Sequence, residues 1–248
     1  MNLYYWLGVV AIGLFLTNCQ TFHPTQVNTL NYSIEENQTG KDSVIIGMIA
    51  PYKFQMDKEM EEVIGVFNTE LILEKPESTL GNWMIDLLFD ESKKYFDGPI
   101  DFAILNYGGV RLNSLPKGEI KRSKIFELMP FDNFWVVVEL DGVLVQQLLN
   151  IIAADGGWPI SEQLRFKIKY GKAEDILING KEIELEKNYR IAMPDFIANG
   201  GGYCDFLENK KKMNTDQLVR DIIIDCMIER NNQDLELIPI KDGRLTIV

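Results

Sequence analysis

The sequence predicts an α+β fold with mixed β-sheets and flanking helices. Three amphipathic segments, at 77–96, 141–155 and 215–231, have the spacing of helices with one buried face. Short apolar runs typical of strands lie between them, without the regular βαβ alternation of a doubly wound sheet. The 248 residues are 46% hydrophobic and 25% charged, which is enough apolar side chain for a sizeable core.

The elements before the first of these helices are short. Residues 30–35 alternate between apolar and polar side chains and predict a strand, and residues 67–73 predict another. Between them, 44–54 is apolar and leads into a charged segment with helical spacing. The apolar positions of that segment are Met56, Met60, Val63 and Ile64.

The clearest helix lies within 77–96. Ser78 or Thr79 can cap its first turn, and Lys93 and Lys94 lie near its end, where cations stabilise the helix dipole. Its apolar positions follow the spacing of a single buried face: Leu80, Trp83, Met84, Leu87 and Leu88.

The remaining elements follow in an irregular order. Residues 100–106 predict a strand that runs directly into YGGVR, and a short helix near 122–128 precedes a buried strand at 135–140. The helix at 141–155 comes next. Further strands are predicted at 164–170, 174–179, 188–193, 235–240 and 244–248, with the helix at 215–231 before the last two.

The N-terminus has the pattern of an export signal. The apolar segment Leu3–Leu16 is shorter than the about 20 residues that span a bilayer. Its end, Leu16-Thr17-Asn18-Cys19, resembles a bacterial lipoprotein box, in which Cys19 is lipidated. The alternatives are a plain signal peptide and an anchor helix. We therefore expect a signal peptide at 1–18, a tether at 19–28, a domain at 29–248, and a lipid-anchored protein of the bacterial cell envelope that faces the periplasm or the exterior.

Residue counts argue against several kinds of catalytic centre. The single histidine, His23, lies in the tether. The rest of the chain therefore lacks histidine ligands for a two-metal centre and a histidine base for a Ser-His-Asp triad. Cys204 and Cys226 predict two unpaired structural thiols, and no CxxC or Cys/His cluster indicates zinc. We expect no metal or cofactor in this chain. The net charge of −12 disfavours binding to nucleic-acid polymers.

Two glycine-rich segments have the features of ligand-binding loops. In LNYGGVR a predicted strand ends at Asn106, Gly108 and Gly109 follow, and Arg111 comes next. Glycines allow a ligand to approach backbone N–H groups, and an arginine fork binds phosphate or carboxylate. The second segment, FIANGGGY, contains Asn199 and Gly200–Gly202 and is equally compatible with a tight turn.

Two phenylalanines accompany these loops. Phe131 follows a proline in MPFDNF, and Phe196 directly precedes the second glycine segment. Aromatic rings on neighbouring loops can stack on both faces of a nucleobase. The alternative for each ring, taken alone, is packing in the core.

Four ordered blocks resemble the C-terminal domain of bacterial and animal 5'-nucleotidases, a family that includes periplasmic UDP-sugar hydrolases. The blocks are ESTLGNWMIDLL, ILNYGGVR, ELMPFDNFWVVVELDGVLVQQLL and YRIAMPDFIANGGGYCDF, and the resemblance extends from about Val44 to the C-terminus. It implies a layered α/β sandwich that grips a nucleotide. In such enzymes a separate N-terminal domain holds two metals and the catalytic His/Asp pair.

The resemblance also implies roles for individual residues. Asn106, Gly108, Gly109 and Arg111 match residues that the family uses for base and phosphate. Phe131 and Phe196 match the aromatic pair that encloses the base, and Asn199, Gly200 and Gly201 match the following loop. Gly202 stands where relatives have an aspartate for the ribose hydroxyls, and Glu74 stands near the place of a family arginine. These two departures predict weak or altered nucleotide specificity.

Three functions remain open on this basis. The first is the substrate-binding half of a split 5'-nucleotidase, with a separate metallophosphatase chain that carries the divalent metals. The second is a surface lipoprotein that binds a nucleoside or nucleotide without catalysis. The third is a scaffold that retains only the fold.

Overall fold

A computed structural model describes residues 42–232 and 240–248. The predicted signal peptide at 1–18, Cys19, the tether at 19–28, the strand at 30–35 and most of the strand at 235–240 lie outside the described residues. By its contacts the chain divides into Met1–Ile49 and Ala50–Val248, and every element after the first described helix belongs to the second unit.

The first described helix, α1 (Ser43–Met60), contains Pro51 and has no buried residue. The helical spacing predicted through Val63 and Ile64 is wrong, because these residues belong to strand β1 (Val63–Phe67). β1 pairs antiparallel with β5 (Gly118–Lys121), and this non-local pairing outweighs the local helical pattern. Among the helices of the described ranges, none is long and apolar enough to cross a membrane.

Helix α2 (Thr79–Tyr95) confirms the clearest sequence prediction. The backbone N–H of Gly81 donates to Ser78 Oγ at 3.0 Å, so Ser78 is the N-cap. Leu80, Met84 and Leu88 are fully buried, and burial of each such side chain contributes about 1.5–3 kcal/mol relative to exposure.

A central mixed sheet separates two hydrophobic cores. Its strands are ordered β11 (Lys212–Leu218), β6 (Phe134–Asp141), β10 (Asn188–Pro194) and β3 (Phe102–Ala103). β6 runs antiparallel to both of its neighbours, whereas β10 and β3 are parallel.

Alternate residues of this sheet enter opposite cores, as the pleat requires. Ala103, Val137 and Ala192 pack with α2 and with α6 (Val219–Asn232). The neighbouring side chains Phe102, Val138 and Ile191 pack on the other side. The predicted α+β class with mixed sheets is confirmed.

The second core lies against a second sheet. Helix α4 (Gly142–Ala154) is capped by Asp141, which accepts from Leu144 N, and it packs on β8 (Lys172–Ile178). The other strands of this sheet are β7 (Leu164–Lys169), β9 (Lys181–Glu182) and β12 (Leu245–Ile247).

The helix predicted at 215–231 begins four residues later than expected. Residues up to Leu218 form β11, where Met213 pairs with Val137 of β6. Thr215 Oγ1 donates to Trp135 O at 2.8 Å, so this segment is held by the sheet. Its side chains continue the helical spacing by coincidence, which is why the sequence pattern is misleading there.

Two predicted strands are shorter in the structure. Only 102–103 of the strand predicted at 100–106 belongs to a sheet, and 67–73 contains only the end of β1 and the short β2 (Leu71–Ile72). β2 pairs with β4 (Ser114–Leu115). The short helix α3 (Arg122–Leu128) matches its prediction.

A buried charge cluster fastens the C-terminal segment to α2. Arg244, with only 2% of its surface exposed, donates to both carboxylate oxygens of Asp86 at 2.7 and 2.9 Å. It also donates to Asp242 Oδ1 at 3.0 Å and to Ile160 O at 2.9 Å. Burial raises the pKa of Asp86, although its bonds with Arg244 oppose that rise.

Candidate functional site

A cavity of about 580 Å³ opens where the loops after β3 and α4 meet the loops around β6 and β10. A short 3-10 turn (Tyr107–Gly109) follows β3, and helix α5 (Asp195–Ala198) follows β10. The lining residues are Asn106, Gly108, Gly109, Phe131, Asn133, Ile151, Ala154, Asp155, Trp158, Phe196, Gly202 and Tyr203.

The two predicted aromatic residues both line this cavity. Phe131 is 44% exposed and Phe196 is 45% exposed, so neither is packed in the core. Asp195, next to Phe196, accepts from Phe134 N at 3.1 Å and joins the loops that carry the two rings. The structure therefore brings the pair together at one opening.

The glycine segment serves both as a turn and as a support for Phe196. Gly200 and Gly202 have φ values of +94° and +68°, which favour glycine. At Gly201 a Cβ atom would lie 2.5 Å from Phe196 Cζ, so the aromatic ring lies directly against this backbone. The tight turn and the ligand-site interpretations of this segment are thus compatible.

Trp158 fills the space beside the third glycine. A Cβ atom at Gly202 would lie 3.0 Å from Trp158 Cη2. The indole is 4% exposed, and its Nε1 donates to Asp155 Oδ2 at 2.7 Å. Lys75 Nζ lies 2.8 Å from the same carboxylate oxygen and 4.6 Å from the centre of the Tyr107 ring.

Asn106 provides a polar atom that lacks a partner. Its Oδ1 is buried and receives no hydrogen bond from any described residue. Gly109 is needed beside it, because a Cβ atom there would lie 3.0 Å from that oxygen. A buried acceptor without a donor costs about 1–3 kcal/mol.

Arg111 lies at the edge of the site, outside the cavity wall. Its side chain is exposed, and its guanidinium carbon is 5.8 Å from the centre of the Phe131 ring. Arg111 Nη1 makes a long contact of 3.4 Å with Gly108 O, which leaves most of its donors directed to solvent.

Of the nine predicted ligand residues, five line the cavity: Asn106, Gly108, Gly109, Phe131 and Phe196. Asn199, Gly200 and Gly201 instead shape the turn after α5, where Asn199 N donates to Asp195 O and Gly201 N donates to Phe196 O. Glu74, at the place of the family arginine, forms an ion pair with Lys241.

Sequence reasoning missed six residues of the wall, of which Ile151 and Ala154 belong to α4 and have no distinguishing signal. Asn133 and Tyr203 lie inside motifs that were already singled out, two residues after Phe131 and one after the glycine run. Asp155 and Trp158 flank a second glycine pair that directly follows a helix. This pair, Gly156 and Gly157, resembles the pair Gly108 and Gly109, and it is the sequence signal from which Asp155 and Trp158 could have been predicted.

The two cysteines in the described part of the chain have structural thiols. Cys204 and Cys226 are unpaired and buried, which confirms the prediction. Burial, with the charge of Asp205, raises the pKa of Cys204 to about 12, and burial raises that of Cys226 to about 11. No group of three or more His, Cys, Asp or Glu side chains suited to a metal ion occurs within 42–232 and 240–248.

The fold and the cavity together define an α+β domain with an opening of a size that suits a small molecule. The family model described as 5'-nucleotidase, C-terminal domain, matches residues 59–209. The chain belongs to this family.

Curated relatives agree with this assignment. A 5'-nucleotidase of Vibrio cholerae is 25% identical over 197 residues, which cover 75% of this chain and 34% of the relative. Protein UshA of Escherichia coli is 27% identical over 186 residues, with 71% and 32% covered. The chain thus spans about a third of the length of these relatives.

Solved structures share the fold. A 5'-nucleotidase precursor from Thermus thermophilus aligns with a TM-score of 0.70 at 22% identity, covering 86% of this chain and 44% of the other. The NAD nucleotidase of Haemophilus influenzae aligns with a TM-score of 0.64 at 19% identity, with 83% and 41% covered.

Proposed function

We propose that this domain binds a nucleotide or nucleoside and forms the substrate-binding half of a 5'-nucleotidase. The observation that carries the proposal is the pair of half-exposed rings, Phe131 and Phe196, on the wall of one cavity of about 580 Å³. Stacking on an aromatic ring is worth about 1–3 kcal/mol per base, so two half-exposed rings on one cavity wall suit a flat ligand.

The polar and charged groups around the cavity favour one orientation of a bound nucleotide. The interior offers two rings and the amide side chains of Asn106 and Asn133, which suit the flat face and the polar edge of a base. The guanidinium of Arg111 lies outside the wall next to Phe131 and suits a phosphate. The base accordingly enters first, and the phosphate stays at the opening.

Hydrolysis needs a metal centre that a partner supplies. The relative from Vibrio cholerae is named 5'-nucleotidase, and this chain matches about a third of its length. We therefore propose a separate metallophosphatase domain protein with divalent metals as the partner, at a cell envelope to which Cys19 anchors this chain. Lost or altered specificity is part of the proposal, since Glu74 and Gly202 replace two charged residues of the family pattern.

Calorimetric titration tests the binding step. Wild-type protein is titrated with AMP, UMP, UDP-glucose and adenosine, and Phe196→Ala is expected to weaken binding of whichever of these binds by about tenfold. The matched control is Phe54→Ala, an exposed phenylalanine of α1 that does not line the cavity, and it leaves affinity unchanged. Absence of binding for all four compounds would refute the nucleotide proposal and favour the scaffold.

A reconstitution assay tests the catalytic role. Phosphate release from AMP is measured with this protein, with a candidate metallophosphatase chain and divalent metal, and with both together. The split-enzyme proposal predicts release above the sum of the two separate rates, and Phe196→Ala abolishes the gain. Binding of a nucleoside without any gain favours the non-catalytic surface lipoprotein.

A further inference from the structure

Asp155 is the only carboxylate among the described residues that line the cavity. It caps the C-terminal end of α4, and about half of its side chain, 51%, is exposed. Its Oδ2 receives two donors, from Trp158 Nε1 at 2.7 Å and Lys75 Nζ at 2.8 Å. From the described residues no hydrogen bond reaches Oδ1, so that oxygen retains its acceptor capacity.

The surroundings hold this carboxylate in one place. The indole that donates to it is buried and packs against Gly202, where no side chain can be added without displacing the ring. Behind it, a Cβ atom at Gly157 would lie 2.6 Å from Pro76 O, so the backbone of this wall has no room to move toward that segment. An acceptor fixed in this way binds a ligand donor with little loss of conformational entropy.

The sign of the charge restricts what Asp155 can bind. Lys75 offsets the charge of Asp155, but Oδ1 still needs a hydrogen-bond donor, which a fully ionised phosphate does not offer, and the exposed cation of Arg111 lies beside Phe131 at the edge of the site. A neutral part of the ligand that carries hydroxyl donors is the complement of Asp155 Oδ1. In a nucleoside, that part is the sugar.

We propose that Asp155 accepts a hydrogen bond from the 2'- or 3'-hydroxyl of the ligand's sugar and selects ribonucleosides over the free base and over sugars that lack these hydroxyls. This inference rests on the proposed nucleotide-binding function and deepens it. Asp155 is a specificity-determining residue here, and Trp158 and Lys75 are the residues that position it.

The test compares three ligands by calorimetric titration on the wild-type protein: adenosine, 2',3'-dideoxyadenosine and adenine. A hydrogen bond to a charged acceptor is expected to favour adenosine over the dideoxynucleoside by roughly tenfold. This series requires no variant, so it does not depend on how any substitution folds.

The variant Asp155→Asn assigns the preference to one residue. Its amide oxygen still accepts from Trp158, but the charge is gone, so adenosine binding falls by about tenfold while dideoxyadenosine binding is retained. The matched control is Asp90→Asn, an exposed aspartate 2.8 Å from Lys93 on α2 and outside the cavity, which keeps the full preference.

The outcomes separate this inference from the function on which it rests. If wild-type protein binds none of the three compounds, the proposed function fails for this ligand class. If it binds adenosine and dideoxyadenosine equally, nucleoside binding stands and the role of Asp155 is refuted. An equal loss of both ligands in Asp155→Asn would also overturn the inference, because it would show a structural role only.

Discussion

Replacing Arg244 by methionine removes the cation that joins the C-terminal strand to α2. The side chain of Arg244 is 3% exposed, whereas those of its partners Asp86 and Asp242 are 33% and 20% exposed. Methionine fills most of the volume and keeps the apolar part of the side chain. The substitution therefore tests the charge rather than a cavity.

The expected loss in free energy of unfolding depends on the groups that lose Arg244 as a partner. Removing one member of a buried ion pair costs about 3–5 kcal/mol, because the remaining charge stays desolvated. Asp86 loses its cation and the carbonyl of Ile160 loses a donor, whereas Asp242 keeps its ion pair with Arg165 at 2.9 Å. Both acids keep some contact with water, so we expect a loss near the lower end, about 3 kcal/mol.

Urea denaturation at equilibrium measures the loss, with Lys94→Met as the control. Lys94 pairs with Glu91 and Glu229 but is 52% exposed, so its removal costs less than about 1 kcal/mol. A loss below about 1 kcal/mol in Arg244→Met would refute the reasoning.

The defect also depends on pH in a defined direction. Burial raises the pKa of Asp86 in the wild type, and loss of Arg244 raises it further. Because the folded variant then binds a proton that the unfolded chain releases, its stability falls as pH rises through the folded pKa. The defect is accordingly expected to be larger at about pH 8 than at about pH 5.

Two further predictions concern the glycine run and the thiols. Gly201→Ala places a methyl group against the ring of Phe196 and is expected to weaken adenosine binding about tenfold, as measured by calorimetry. Unchanged affinity would show that the position of this ring is unimportant for binding. With Cys19 replaced by serine, Cys204 and Cys226 are expected not to react with a thiol reagent until urea unfolds the protein. Their folded pKa values of about 12 and about 11 exceed the ordinary value of 9.0. The stability of the fold is therefore expected to fall as pH rises above 9. A melting temperature that does not change with pH in this range would contradict the prediction.

Local signals in the sequence predicted the helices better than the strands. Helix α2 has its apolar face, its cap at Ser78 and its terminal lysines within one segment, so all the signals that predict it are local in the sequence. β11 depends on pairing with β6, about 75 residues away, and a helical pattern around Leu218 conceals it.

The same distinction applies to the site. Asn106 and Phe196 were predicted because each lies next to a glycine run, Phe131 because it follows a proline in a short motif, and the resemblance joined the motifs. Asp155 and Trp158 also flank a glycine pair, but that pair alone does not show that the end of α4 lies beside the loops of Phe131 and Phe196. Arg111 shows the converse, since its motif was recognised but its side chain lies outside the wall.

Proton NMR of the bound ligand tests the central claim most directly. If the base of adenosine lies between Phe131 and Phe196, its two ring protons shift upfield on binding through the ring currents of both phenylalanines. This upfield shift is expected with wild-type protein, and a smaller shift is expected with both Phe131→Leu and Phe196→Leu. Binding of adenosine without any upfield shift of the base protons would contradict the claim.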